Sequence, residues 1–336
     1  MQGLTSTDGW FQRGRTAVLL LPLLLSFAQP ACAEWYKQQR TYMGTEVTVE
    51  LWHPREEDAT ALLEAVFAEI QRLDLMMNPW NPDSELARIN REAGKRTVST
   101  TAEIVEVVQR ALYYSALSEG AFDISFAGAG QHYDFRAGLA PGPEVLASAS
   151  TLVDYRAIRL IVPTRQIRFD KPGMQIDLGG IAKGYAVDRA IEILRRARVE
   201  SAVIAAGGDT RILGDLGDRS RTIGIRHPRK PDDFAVLIPL EDTAISTSGD
   251  YERYFEKDGV RYHHILDPST GKSAGQVQSA SVLAPSAMES DALSTTVFVL
   301  GVERGLSLIN ALGGIDAIII DGRGRLHYSD DLLRSE

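Results

Sequence analysis

Ser286 and Glu289 form a capping box that opens a helix, which places Asp291 in the first turn and Thr295 one turn further on. A spacing of four sets the carboxylate and the hydroxyl on one helix face. Two hard oxygens, with positions left for water and phosphate, are how proteins usually hold Mg2+. The same pair also suits a plainer use, with Asp291 balancing the helix dipole and Thr295 bonded back to a carbonyl. His263-His264-Ile265-Leu266-Asp267-Pro268 ends a strand in the turn Ser269-Thr270-Gly271. A histidine there can serve as a general base, since its unperturbed pKa lies near ~6.5, or it can be purely structural. Adjacent strand residues face opposite sides, so only one of the pair can enter a given pocket.

The third feature is the run from Gln175 to Arg189. An apolar stretch ends at Asp177, Gly179-Gly180 follow, and a helical pattern begins at Ile181 with Lys183 and Gly184 in its first turn. Glycines at a strand-to-helix junction let the backbone approach a ligand, and the new helix offers unpaired N–H groups to an anion. A tight turn with no ligand fits equally well. The pattern is neither G-x-G-x-x-G nor a P-loop, because Lys183 precedes the last glycine. The chain has no His-x-x-x-His and no cysteine cluster, which argues against a zinc site.

These residues need elements to position them. Thr45 to Leu51 alternates as a half-buried strand, and Glu56 to Leu75 is a helix with Leu62, Val66, Ile70 and Leu73 on one face. Ser84 caps a short helix to Asn90, and Thr100 with Glu103 caps another that ends at Gly120. Residues 120–142 lack periodicity, and a structureless loop of that length is uncommon unless it lines a site. Strands are expected at Ile158–Val162, Gln166–Phe169, Ser201–Ala206, Thr222–Arg226, Val236–Leu240, Arg261–Leu266 and Ala280–Ala284. A helix from Ile181 to Ala197 should bury Ala186, Ala190, Ile193 and Ala197 and expose Asp188, Glu192 and Arg196. Two helices, Ala287–Leu300 and Glu303–Leu312, precede a hairpin of Ala317–Ile320 and Arg325–Tyr328. Strands grouped between helices, with few β-α-β units, give an α+β fold with no linker separating domains.

The 336 residues carry a net charge of −9 without a basic stripe, which argues against nucleic acid or an anionic membrane surface as main partner. Arg13 and Arg15 precede the apolar run Ala17 to Leu25, and Ala31-Cys32-Ala33 follows. This is the pattern of a secretory signal cut after Ala33, which makes 1–33 a removed leader and 34–336 a single domain of one or two lobes. Cleavage removes Asp8, Arg13 and Arg15, a net +1, and leaves −10 and no cysteine. A lipid anchor on Cys32 is the alternative, weakened by Gln29-Pro30-Ala31 before it.

Eight ordered motifs across Met43 to Gly301 resemble the ApbE family of FAD:protein FMN transferases. They are Met43-Gly44-Thr45; Trp80 with Pro82-Asp83-Ser84-Glu85-Leu86; Gly120-Ala121-Phe122-Asp123; Asp177 to Gly184; Gly207-Gly208-Asp209; Thr247-Ser248-Gly249-Asp250-Tyr251; His264 to Pro268 with Thr270-Gly271; and Ala284 to Met288 leading to Asp291 and Thr295. The resemblance implies an ApbE-like (T-fold-type) architecture of mixed, mostly antiparallel sheets packed with helices. It implies a periplasmic enzyme that moves the FMN part of FAD onto a threonine or serine hydroxyl of a partner flavoprotein and releases AMP. Electron-transfer subunits of the Rnf or sodium-translocating NADH:quinone reductase type are the implied targets. By family position Asp291, Thr295 and the main-chain oxygen of Gly180 bind Mg2+. Met43, Trp80, Ala121, Phe122, Asp123, Asp177 and Lys183 line the FAD site, and His264 takes the acceptor's proton. A Mg2+-dependent FAD pyrophosphatase and a non-catalytic flavin-binding protein are the competing functions. The chain departs from the family after Asp123, where Ile124 to Arg136 replaces a glycine-proline-leucine run and a Trp-Gly pair.

Overall fold

Strand alternation and helix periodicity build a two-faced sheet. The computed structural model describes residues 33–215 and 221–334, so the secretory or lipidated reading of the N-terminus lies outside the described residues. Eight strands run antiparallel to their neighbours in the order Glu34–Tyr42, Thr45–His53, Ala202–Ala206, Asp209–Leu213, Ala244–Gly249, Val277–Ala284, Asp316–Asp321, Leu326–Tyr328. Val47, Val49 and Leu51 alternate toward one face and meet Leu63, Val66, Phe67 and Ile70 of the helix Glu56–Met77. They also meet Val187, Ile191 and Leu194 of the helix Ala182–Arg196, here called the Lys183 helix. The opposite face carries Val203, Ile212, Ile245 and Leu283 against Ile225 and Leu240 of the hairpin Arg221–His227/Lys230–Leu240. The α+β expectation is met.

The helix Ala287–Asn310, here the Asp291 helix, lies under the middle of the sheet. Its backbone breaks at Gly301 (φ 78°), where the sequence separates two helices. By length and composition it could cross a membrane, but it is mostly buried within the fold. Ser286 accepts from the Glu289 N–H as expected, yet the helix starts at Ala287, so Asp291 belongs to its second turn. Ser246 and Ser248 point down from the sheet to Ser290 (2.7 Å) and Ser294 (2.9 Å). These small hydroxyls satisfy one another and let strand and helix approach closely.

Several local expectations fail for identifiable reasons. The stretch before Asp177 is not a strand. The Asn90 side chain donates to Ile176 O and accepts from Ile176 N, both at 2.9 Å, in place of a neighbouring strand. The cap of the helix Ala102–Leu117 is Thr101, while the Thr100 hydroxyl donates to Glu85 (2.7 Å) and Glu103 pairs with Arg72. The strand at Arg261 stops at His263 and resumes at Leu266, because the Ser273 hydroxyl takes the partner role at His263. Residues 120–142 are not structureless: they form a 3-10 turn Ile124–Phe126, a helical turn Ala127–Gly130 and an Asp134–Leu139 bridge. In the Lys183 helix Ile191 and Leu194 are buried, whereas Ala197, expected inside, is exposed. Asp188, expected outside, is turned inward.

Candidate active site

Asp188 explains how the site is held. Its two oxygens accept the N–H groups of Ala287 and Met288, each at 2.8 Å, and so cap the Asp291 helix. Asp291 returns the arrangement: its Oδ2 accepts the Gly184 N–H (3.0 Å) in the first turn of the Lys183 helix, whose own N-cap residue supplies no side-chain bond. Each helix therefore caps the other. Asp188→Ala strands two N–H groups and should cost about 1–3 kcal/mol. Calorimetric unfolding checks this, and an unchanged melting temperature would refute the cross-capping.

The crossing is made of main chain. A Cβ on Gly184 would lie 2.1 Å from Ala287 O and 2.7 Å from Met288 Cα, so no other residue fits unless the helices part. Overpacking at such a point costs about 3 kcal/mol or more. Gly184→Ala is expected to lower the melting temperature by about 6 °C or more and to weaken cation binding with it. A melt unchanged within 2 °C would contradict this, on the ~2–4 °C expected per kcal/mol.

The crossing aligns the residues singled out in the sequence. Lys183 Nζ lies 2.9 Å from Gly179 O, 3.3 Å from each Asp291 oxygen and 3.0 Å from Asp209 Oδ2. Burial alone would lower the Lys183 ammonium, but Asp209 and Asp291 outweigh it and hold the pKa above the ordinary value. Burial first, then the charge of Asp209, raises Asp291, while Lys183 and the Gly184 N–H pull the other way. Thr295 Oγ1 bonds Ser248 Oγ at 3.2 Å, and a Cβ on Gly180 would lie 3.5 Å from Thr295 Oγ1 and 3.2 Å from Phe122. Gly180, Thr295 and Phe122 are thus neighbours. Asp177 accepts from Gly179 N (2.6 Å); burial raises its pKa, against the pull of Lys183 and Arg253.

The remaining candidates divide. His264 is half-buried, its Nδ1 shielded and without a hydrogen bond, and its pKa is lowered to about 3 by burial, then by Arg253, His263 and Lys183. His263 turns away: its Nε2 sits 2.7 Å from Ala274 O, and the ring meets Phe298 edge-on. Trp80 is 76% exposed, so core packing does not account for it, whereas Phe122 is buried against Tyr114. Met43 packs on the same cluster as Phe122, and Ala121 is half-buried. Asp123 has an architectural use: it accepts Ser125 N and Oγ (2.8 and 2.6 Å) and Tyr155 N (2.9 Å). The segment after Asp123 stacks Tyr133 on Phe135, which leans on Phe255 and so on Tyr262 of the hairpin before His264.

Two residues join the site to which sequence reasoning assigns no role. Asp209, buried at the start of its strand, faces Lys183; the sequence placed it in the Gly207-Gly208-Asp209 motif without a role. Arg253 donates to Gly44 O (3.3 Å) and bears electrostatically on both Asp177 and His264. Among the described residues no three His, Cys, Asp or Glu side chains cluster as a complete metal cage. The donors present are hard oxygens, and a cationic ammonium already sits among them. That chemistry fits Mg2+ held partly by phosphate and water.

The ApbE family's sequence profile matches residues 43–319. A Treponema pallidum FAD:protein FMN transferase is 34% identical, the match covering 89% of this chain and 88% of the relative. The crystal structure of the Thermotoga maritima ApbE protein aligns with TM-score 0.82 at 31% identity, over 90% of this chain and 99% of that one. The flavin transferase ApbE of Vibrio cholerae gives 0.81 at 27% identity, with the same coverage. With its motifs converging on one helix crossing, this chain belongs to the ApbE family.

Proposed function

We propose that this chain is a Mg2+-dependent FAD:protein FMN transferase. The reading is carried by the convergence of the Asp177–Gly184 loop on the Asp291–Thr295 face, and relatives named for that activity support it. Asp291, Thr295 and the Gly180 carbonyl hold the cation, which when bound neutralises pyrophosphate charge and polarises a phosphoryl oxygen. Lys183 and the N-terminus of its helix receive phosphate oxygens, and exposed Trp80 offers a flat surface to an aromatic ring.

The acceptor threonine oxygen attacks the FMN-side phosphorus, the bond to the bridging oxygen breaks, and AMP leaves with that oxygen. The hydroxyl proton passes to His264, whose ring is neutral; its lowered pKa makes it a weak base in the empty site, and the negative charge of a bound pyrophosphate would raise it. The chain acts in the periplasm after removal of residues 1–33, or from a lipid anchor on Cys32. Its targets are subunits of the Rnf or sodium-translocating NADH:quinone reductase type. Incubation with FAD, Mg2+ and such an acceptor domain should yield FMN on a threonine and AMP in equal amounts. Free FMN with no protein-bound flavin would reject the transferase in favour of a pyrophosphatase.

A further inference from the structure

We infer that the Lys183 ammonium is a tethered stand-in for the divalent cation at Asp291, held by the oxygens of Gly179, Asp209 and Asp291 until a cation binding to Asp291, Thr295 and Gly180 O displaces it toward Asp209. This rests on Asp291 being a cation ligand, as proposed above, and it gives Asp209 a role of its own.

The oxygen set has the composition of a cation site: one main-chain carbonyl and two carboxylates lie 2.9–3.3 Å from Nζ. Asp209 and Asp291 are 2% and 3% exposed, and two buried carboxylates this close need a cation between them. The ammonium supplies a single charge for the two. Its hold is also divided, because Asp291 Oδ2 already accepts the Gly184 N–H. Asp209 Oδ2 lies 3.0 Å from Nζ without hydrogen-bond geometry, so this buried oxygen can accept more fully than it does. A lysine's four-carbon stem allows such a shift without moving the helix. A divalent cation and an ammonium on one carboxylate repel, so Lys183 must release Asp291 for the cation to bind. Asp209 is then a positioning residue that retains the displaced charge beside the pyrophosphate.

The test reads Mn2+ binding by titration calorimetry without FAD, so it does not depend on flavin transfer. Lys183→Met should bind Mn2+ at least tenfold more tightly than wild type. Lys183→Gln, which can still donate to Gly179 O, should do the same. Asp209→Asn should weaken Mn2+ binding about tenfold in the wild-type background and have little effect in Lys183→Met. A loss that persists in the double variant makes Asp209 a direct ligand and overturns its assigned role. Equal or weaker Mn2+ binding in the folded Lys183 variants overturns the stand-in. If neither variant folds, the unmodified protein decides: Mn2+ should speed acetylation of Lys183 by acetic anhydride severalfold, read by peptide mass spectrometry. An unchanged rate refutes the displacement. Failure of FMN transfer alongside these binding results would reject only the proposed activity.

Discussion

Asp291→Asn is expected to reduce cation-dependent flavin transfer by about 10²–10³-fold while leaving the fold in place. The amide keeps an oxygen for the Gly184 N–H, so the cross-capping of the two helices survives. It also removes one of two buried negative charges and leaves Lys183 to Asp209, so stability should change little. What is lost is the anionic oxygen that anchors the cation. Transfer assayed against Mg2+ concentration, beside a melting curve, separates the two effects. Activity within tenfold of wild type would remove Asp291 from the cation site.

His264→Ala should slow transfer to the acceptor by about 10²–10⁴-fold with FAD affinity unchanged, because the ring takes a proton and holds no flavin. Burial, then neighbouring positive charge, lowers its pKa to about 3, so the ring is neutral across the physiological range. The same shift affects stability. The unfolded chain protonates this histidine near ~6.5 and the folded chain does not, so stability falls as pH drops below ~6.5 toward 3. One such proton gives a slope of about 1.4 kcal/mol per pH unit. Burial lowers His263 as well and adds in the same direction. Replacing His264 with Asn should flatten the acid limb of a stability-against-pH curve. If the limb is unchanged, the ring is not held neutral by the fold; if transfer is unaffected in the alanine variant, the base lies elsewhere.

Elements with a strong period were legible in the sequence, and elements held by side chains were not. The helix Glu56–Met77, the strand Gln166–Phe169 and the caps at Ser84 and Ser286 follow from spacing and local chemistry. The edge strand Glu34–Tyr42 reads as polar because one of its faces is exposed and the other only half-buried. Asp209–Leu213 hid behind a two-residue glycine turn. The run before Asp177 has a strand's composition, but the Asn90 side chain occupies its hydrogen bonds from 86 residues away. Within the site, the pairing of Asp291 with Thr295 was local and visible. The contact of Gly184 with Asp291 spans 107 residues and runs through a main-chain N–H, which no residue pattern announces. Asp188 looked like a solvated face for the same reason, since its partners are backbone groups of another helix.

The crossing at Gly184 also bears on how such a protein can change over time. Its contact atoms are nearly all main chain, and the two aspartates that lock it each depend on the other's helix. A substitution at Gly184 is hard to offset by resizing a neighbour, because the nearest atoms it would meet are main chain. Change in recognition is easier at the rim, where the 124–136 segment packs through replaceable rings. The centre would stay fixed in this lineage while the choice of acceptor drifts around it.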